Sequence, residues 1–149
     1  MIDRAGALAL SFEPADLLVS RGRLQLFAGV VDEPNPIHSQ VDAARRAGHR
    51  DLVVPPTYFF SMELETHGLV YVERLGISIS SILHGEQAFD YHALCYASDV
   101  VTIAPRVVDY YEKRGGTMAF VVKETRFTRA GQDLATARST IISVNQPAA

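Results

Sequence analysis

The sequence predicts an α+β fold in which an antiparallel sheet wraps one long, largely apolar central helix. Three observations point there. From about Ile82 onward the hydrophobic period becomes two, the repeat of a half-buried strand. Two glycine-bearing clusters, Lys113-Arg114-Gly115-Gly116 and Arg129-Ala130-Gly131-Gln132, punctuate that region as hairpin turns do. Ahead of it, residues 58–66 carry Phe59, Phe60, Met62 and Leu64, so that stretch is apolar over most of a helical surface and belongs inside.

Taken in order, the chain opens on a short apolar run at residues 1–10, followed by Phe12-Glu13-Pro14 where a secretion signal would need a cleavage site. Residues 1–10 and 145–149 read as flexible ends of one domain spanning residues 1–149. Ser20 is placed to cap a helix through Leu24 and Phe27, whose three-residue spacing puts both on one face. The prolines of Asp32–His38 end it. Val41–Ala47 reads as a short helix stopped by Gly48, a residue suited to a left-handed C-terminus. Pro55 and Pro56 enforce an extended approach, and Thr57 is placed to cap the apolar helix that runs from Tyr58 to about Thr66. Then come about four strands. Val101, Ile103, Pro105 and Val107 alternate on one, Met118, Phe120 and Val122 on the next, and Ala135, Ala137 and Ile141 on the last. Long strands leave an exposed edge, which a dimer that continues the sheet would cover.

Composition narrows the classes. The 149 residues are 48% hydrophobic and 21% charged, ordinary for a globular domain with a real core. A formal charge of −3 argues against nucleic acid, whose phosphates call for a basic surface. No apolar run approaches the roughly 18 residues of a membrane span. Cys95 is the one cysteine, so neither an intramolecular disulfide nor a cysteine metal cluster can form, and the cytoplasm is the expected compartment. Its apolar neighbours suggest a buried thiol. No glycine-rich phosphate loop or dinucleotide fingerprint occurs, so no bound cofactor and no metal is expected.

The chemistry concentrates in Asp32-Glu33-Pro34-Asn35-Pro36-Ile37-His38, where Glu33 and His38 stand five positions apart. Two prolines exclude a regular helix and leave a rigid turn, which can hold an acid and a base in one geometry. A histidine alone in a sequence is usually a surface or core residue; for His38 the surrounding motif favours a site role, while His49, His67 and His92 have no such context. Glu33 competes with Asp32 for the part of carboxylate, and either could merely cap the turn.

This turn resembles the Gly-Asp-x-Asn-Pro-Ile-His signature of MaoC-like dehydratases and R-specific enoyl-CoA hydratases, which have the hot-dog fold. Leu83-His84-Gly85-Glu86-Gln87, Ser98-Asp99 and Tyr111-Glu112-Lys113-Arg114-Gly115-Gly116 extend the likeness to the N-terminal-type MaoC dehydratase domain, as does Val54-Pro55-Pro56-Thr57. In that frame the catalytic aspartate falls on Glu33 and the preceding glycine on Asp32. Many relatives of the N-terminal type carry tyrosine where this chain keeps His38.

The resemblance implies reversible hydration of trans-2-enoyl thioesters to (R)-3-hydroxyacyl thioesters of coenzyme A or an acyl carrier protein. Glu33, or Asp32, and His38 would grip the water. Asn35 would brace the turn or the substrate amide, and the Thr57 backbone N–H would meet the thioester oxygen at a helix N-terminus. Pro56, Tyr58, His84 and Gly85 are further substrate-binding candidates, although His84-Gly85 before a strand reads more readily as closing a turn. Arg45, Arg46, Lys113 and Arg114 are candidates for the carrier's phosphates. The partner would be a second copy or a second MaoC-like subunit. Two other functions stay open: a weakly catalytic or non-catalytic subunit of a heterodimeric dehydratase, favoured by the Glu-for-Asp exchange, and a hot-dog thioesterase.

Overall fold

The computed structural model describes residues 3–144; the expected tail at 145–149 lies outside the described residues. Five strands form one sheet in the order β1-β3-β4-β5-β2, with every pairing antiparallel. They are β1 (Ala15–Leu18), β2 (Ile82–Tyr91), β3 (Val100–Lys113), β4 (Met118–Arg129) and β5 (Gln132–Val144). The two expected hairpins join β3 to β4 and β4 to β5. In the second, Ala130 (φ 46°) and Gly131 (φ 83°) both take the left-handed conformation that a tight hairpin turn requires. β1 lies ahead of Ile82, where the sequence carries no strand pattern. β1 has four residues, and it is stabilised by pairing with Val100–Ile103 rather than by any pattern of its own.

The helices fall close to where local chemistry puts them. α1 (Arg4–Leu8) occupies a stretch expected to be a loose end; Asp3 caps it, and Ala7 is fully buried. α2 (Arg21–Val30) starts at Ser20, whose hydroxyl accepts from the Arg23 N–H, and buries Leu24. α3 (Val41–Arg46) ends before Gly48 (φ 89°). α4 (Tyr58–Thr66) has the expected span, but the Thr57 side chain makes no capping hydrogen bond. α5 (Val70–Arg74) follows Gly68 (φ 55°). The sheet's helical cover is therefore shared by a nine-residue α4 and a five-residue α5. Met62 on α4 sits in a cluster with Phe59, Leu24 and Phe127, while Tyr71, Val72 and Leu75 build a second cluster against Val107 and Val121.

The pattern on β3 agrees with the sequence: Val101, Ile103, Pro105 and Val107 are all buried. On β4 the inner parity is the other one. Ala119, Val121, Lys123, Thr125 and Phe127 are buried; of the expected set Val122 is buried too, while Met118 and Phe120 are half-exposed. Phe120 stacks on Tyr111, with the Lys113 ammonium over both rings. The reason lies in Lys123, which a binary pattern turns outward. Here it is 4% exposed, because its ammonium pairs with Glu63 in the middle of α4. The Thr125 hydroxyl donates to the other Glu63 oxygen at 2.8 Å, and the ammonium lies 4.0 Å from the Tyr71 ring centre.

The two sheet edges differ. β3 is covered by β1 over Val100–Ile103 and then by α1, whose Arg4 donates to the Tyr110 carbonyl at 3.1 Å and to Asp109 at 2.9 Å. β2 pairs only with β5, and its ten residues are exposed or half-exposed throughout.

Removing one partner of a buried ion pair strands the other. Lys123→Met should lower the unfolding free energy by about 3–5 kcal/mol, and Glu63→Leu added to it should restore much of the loss. Urea titration at one protein concentration measures both.

Candidate active site: a cleft at the N-terminal end of α4

α2 ends at Val30 with Val31 as its C-cap, and Asp32 follows with φ 53°. That conformation is easiest for glycine and tolerable for aspartate, which explains why the related signature has glycine at this position. Asp32 is exposed there as a turn residue. Glu33 comes next, its N–H bonded to the Ala28 carbonyl at 2.8 Å. Its carboxylate accepts from the Asn35 N–H at 2.9 Å, and the Asn35 side chain accepts from the Ile37 N–H at 3.2 Å. These local bonds lock the turn and start a single 3₁₀ turn, Pro36–His38. Asn35 thus braces the turn.

His38 ends up 8% exposed. Its Nδ1 lies 2.8 Å from the Val53 carbonyl. A carbonyl only accepts, so Nδ1 carries the hydrogen and Nε2 is left as the ring's free nitrogen. The ring borders a cleft of about 450 Å³. Ile37, Val53 and Val54 wall it beside His38, Pro56 and Phe59 come from the head of α4, and residues 91–95 close the far side. Val54 N–H donates to the Cys95 carbonyl at 2.9 Å and Ala97 N–H to the Leu52 carbonyl at 2.9 Å, so these two segments are stitched together below the cleft.

Charged groups fasten the same seam from outside. Arg21 grips Asp51 through two nitrogens, and Asp51 also accepts from the Leu52 N–H at 2.7 Å. Asp99 accepts from the Tyr96 N–H at 2.9 Å, from Arg129 at 2.6 Å and from Arg50. Burial alone would raise the Asp99 pKa. The hydrogen bonds from Arg50, the Tyr96 amide and Arg129 outweigh it and hold the carboxyl below its ordinary value. Cys95, in the cleft wall, is pushed up to about 12 by burial and then by the Asp99 charge, so its thiol stays protonated.

Among the expected site residues, the cleft gathers His38 and Pro56. Glu33 is not in its lining, and its carboxylate is held on the turn. The Thr57 N–H has no protein partner among the described residues and lies next to Pro56, whereas the Tyr58 N–H is taken by the Pro55 carbonyl at 3.0 Å. The Tyr58 side chain turns away: its ring meets Phe27 edge-on at 5.2 Å and its hydroxyl donates to Glu65 at 3.4 Å. Burial pushes that phenol up to about 12. His84 is exposed on β2 and meets the Phe60 ring at 5.5 Å, away from the cleft. Gly85 forms a β-bulge where a Cβ would come within 2.8 Å of Ile142 Cδ1, so its requirement here is one of packing. Arg45 and Arg46 lie on α3, just after the His38 turn, whereas Lys113 and Arg114 sit at the opposite end of β3. The far wall, Tyr91 and His92 to Leu94, has no local signal in the sequence, because only the β2–β5 register and the 52–54 to 95–97 bridge bring it round. Among the described residues no three His, Cys, Asp or Glu side chains gather to hold a metal ion, and no helix is long and apolar enough to cross a membrane.

The fold is the hot-dog fold, shared with solved structures of MaoC-like dehydratases. The chain belongs to the family described as FAS1-like, dehydratase domain region, whose model matches residues 7–137. A UPF0336 protein of Leifsonia xyli subsp. xyli is 36% identical over 127 residues, 84% of each chain. A chain in the structure described as C-terminally truncated HadBC, the (3R)-hydroxyacyl-ACP dehydratase complex of Mycobacterium tuberculosis, superposes with a TM-score of 0.77 at 22% identity, covering 89% of this chain and 93% of that one. A MaoC-like dehydratase from Rhodospirillum rubrum gives 0.66 at 15% identity, covering 95% and 96%. At such identities these structures show the shared fold.

The Asp99 shift fixes a pH dependence. A carboxyl whose folded pKa is depressed adds stability above its unfolded value of about 3.9, and that stability is lost as pH falls through the folded value. Acid titration of the wild type should therefore show a loss of stability beginning below about pH 4. Asp99→Asn should be destabilised at neutral pH by about 1–3 kcal/mol and show a smaller further loss over the acid range. Urea midpoints read by circular dichroism at a series of pH values check it.

Proposed function

We propose that this chain is a hydratase/dehydratase subunit acting on trans-2-enoyl and (R)-3-hydroxyacyl thioesters, carried by coenzyme A or an acyl carrier protein. The observation that carries the reading is His38. Its imidazole is oriented by the Val53 carbonyl, with Nε2 free at an apolar cleft. That is the form a general base needs.

In the hydration direction, Nε2 takes a proton from water as its oxygen bonds to the β-carbon. The electron pair of the double bond moves toward the thioester oxygen, where an N–H donor stabilises the developing enolate. The Thr57 amide, without a protein partner among the described residues and next in sequence to the cleft residue Pro56, would supply that donor. The proton held at Nε2 then passes to the α-carbon, directly or through a water, which restores the imidazole and completes the addition. Glu33 keeps the turn in shape through the Asn35 amide, and release of that bond would let its carboxylate share the water. Asp32, pinned in its left-handed conformation and exposed, is the weaker of the two carboxylate candidates. Arg45 and Arg46, on the helix that follows the turn, are the cations nearest in sequence to meet the carrier's phosphates. None of these steps calls on a metal or a bound cofactor.

The open edge of β2 supports assembly into a dimer that continues the sheet. A second reading is favoured by one observation: the Glu33 carboxylate lies outside the cleft, tied to its own turn. On that reading the chain pairs with a second MaoC-like subunit, which supplies the missing carboxylate, and contributes cleft and sheet edge.

Hydration of crotonyl-CoA and of a longer trans-2-enoyl-CoA, followed by loss of enoyl absorbance, tests the proposal. The purified chain should hydrate at least one of them, with His38→Ala lowering kcat by about 10²–10⁴-fold. Glu33→Ala should lower it too. No hydration by the folded chain, alone or mixed with a MaoC-like partner, would reject it; activity only in the mixture would select the second reading.

A further inference from the structure

A second cavity, of about 400 Å³, lies at the other end of α4 and shares no lining residue with the His38 cleft. Its size is within the ordinary range for small-molecule sites, about 300–1,000 Å³. Its walls are mostly apolar: Phe12, Pro14, Val70, Tyr71 and Pro105. Glu63 and Lys123 also border it, and both side chains are more than nine-tenths buried. Over it runs the segment that precedes β1. That strap is tied down by His67 Nε2, which donates to the Glu13 carbonyl at 2.9 Å, and by Arg74, which donates to the Ser11 carbonyl at 2.6 Å. The Arg74 guanidinium also lies 5.0 Å from the Phe12 ring centre.

The donor count at Lys123 is incomplete. An ammonium has three N–H donors. One goes to Glu63 and one direction faces the Tyr71 ring. The third has no protein acceptor among the described residues. Lys123 and Tyr71 also border the small void beneath His84, so these two side chains stand between two largely apolar spaces. A buried ion pair adds little stability over an apolar pair of similar volume; this one fixes how α4 meets β4 and leaves a Lys123 donor unused.

We propose that this cavity is a second ligand site, for a neutral apolar molecule bearing one carbonyl oxygen that accepts the spare Lys123 hydrogen. Neutrality follows at Lys123 itself, whose charge Glu63 already balances, while Arg74, the other lining cation that bears on it, is turned to the Ser11 carbonyl and the Phe12 ring. The site is independent of the hydratase reading, since none of its residues touches the His38 cleft.

The test uses octan-2-one labelled with ¹³C at the carbonyl, titrated into the full chain and followed by NMR. The carbonyl resonance should move downfield as it accepts a hydrogen bond, and saturate. Val70→Trp, at the half-exposed rim, fills the cavity without touching the ion pair and should weaken binding by at least about tenfold, or 1.4 kcal/mol. Leu94→Trp, at the mouth of the His38 cleft, should leave it unchanged. The double variant Glu63→Gln/Lys123→Met should bind without the downfield shift. Absence of binding, loss of binding in Leu94→Trp, or full binding in Val70→Trp would overturn the assignment.

Discussion

The structure depends on one buried ion pair. Glu63, in the middle of the helix, and Lys123, in the middle of the central strand, must face each other, since neither charge can be left alone in the interior. Together with the Thr125 hydroxyl, this pins α4 to β4 in one register and one rotation. With Glu63 turned to the sheet, Phe59 one turn earlier meets Phe127 edge-on at 5.0 Å and reaches the cleft. Thr66 and His67 one turn later border the second cavity. The orientation of α4 thus sets each end of the helix beside a cavity.

The His38 cleft is a seam between three pieces of irregular backbone. Its position rests on polar contacts that lie outside the apolar lining: Arg21 with Asp51, and Asp99 with Arg50, Arg129 and the Tyr96 amide. Two left-handed residues, Asp32 (φ 53°) and Ser98 (φ 70°), mark the corners where the chain turns into and out of this region. Such a frame leaves the imidazole oriented in a pocket that is itself mostly hydrocarbon. A proton-transfer group in that setting loses little to reorganisation when charge develops.

Most of the fold was legible because local chemistry decides it. Ser20, Gly48 and the Ala130-Gly131 turn each act within a few residues of themselves, and the alternation on β3 reports a buried face directly. β4 misled for a specific reason: Lys123 faces inward only because Glu63 awaits it sixty positions away, and no local pattern carries that information. β1 was unreadable on the same ground, being stabilised by pairing with β3. At the site, the double-proline turn announced His38, while the wall at residues 91–95 is built by long-range register. Gly85 and Tyr58 carried the look of site residues. The structure gives Gly85 a packing reason, contact with Ile142, and turns the Tyr58 side chain onto Phe27.

The measurement that bears most directly on the central claim is an NMR footprint of butyryl-CoA, a saturated thioester that can bind but cannot be hydrated, on the isotopically labelled chain. Ring resonances of His38 and side-chain resonances of Phe59 and Leu94 should shift together and saturate together, with those of Thr66 and Val70 unmoved. A footprint confined to other residues, with His38 unperturbed at saturation, would contradict the assignment of the cleft as the thioester site.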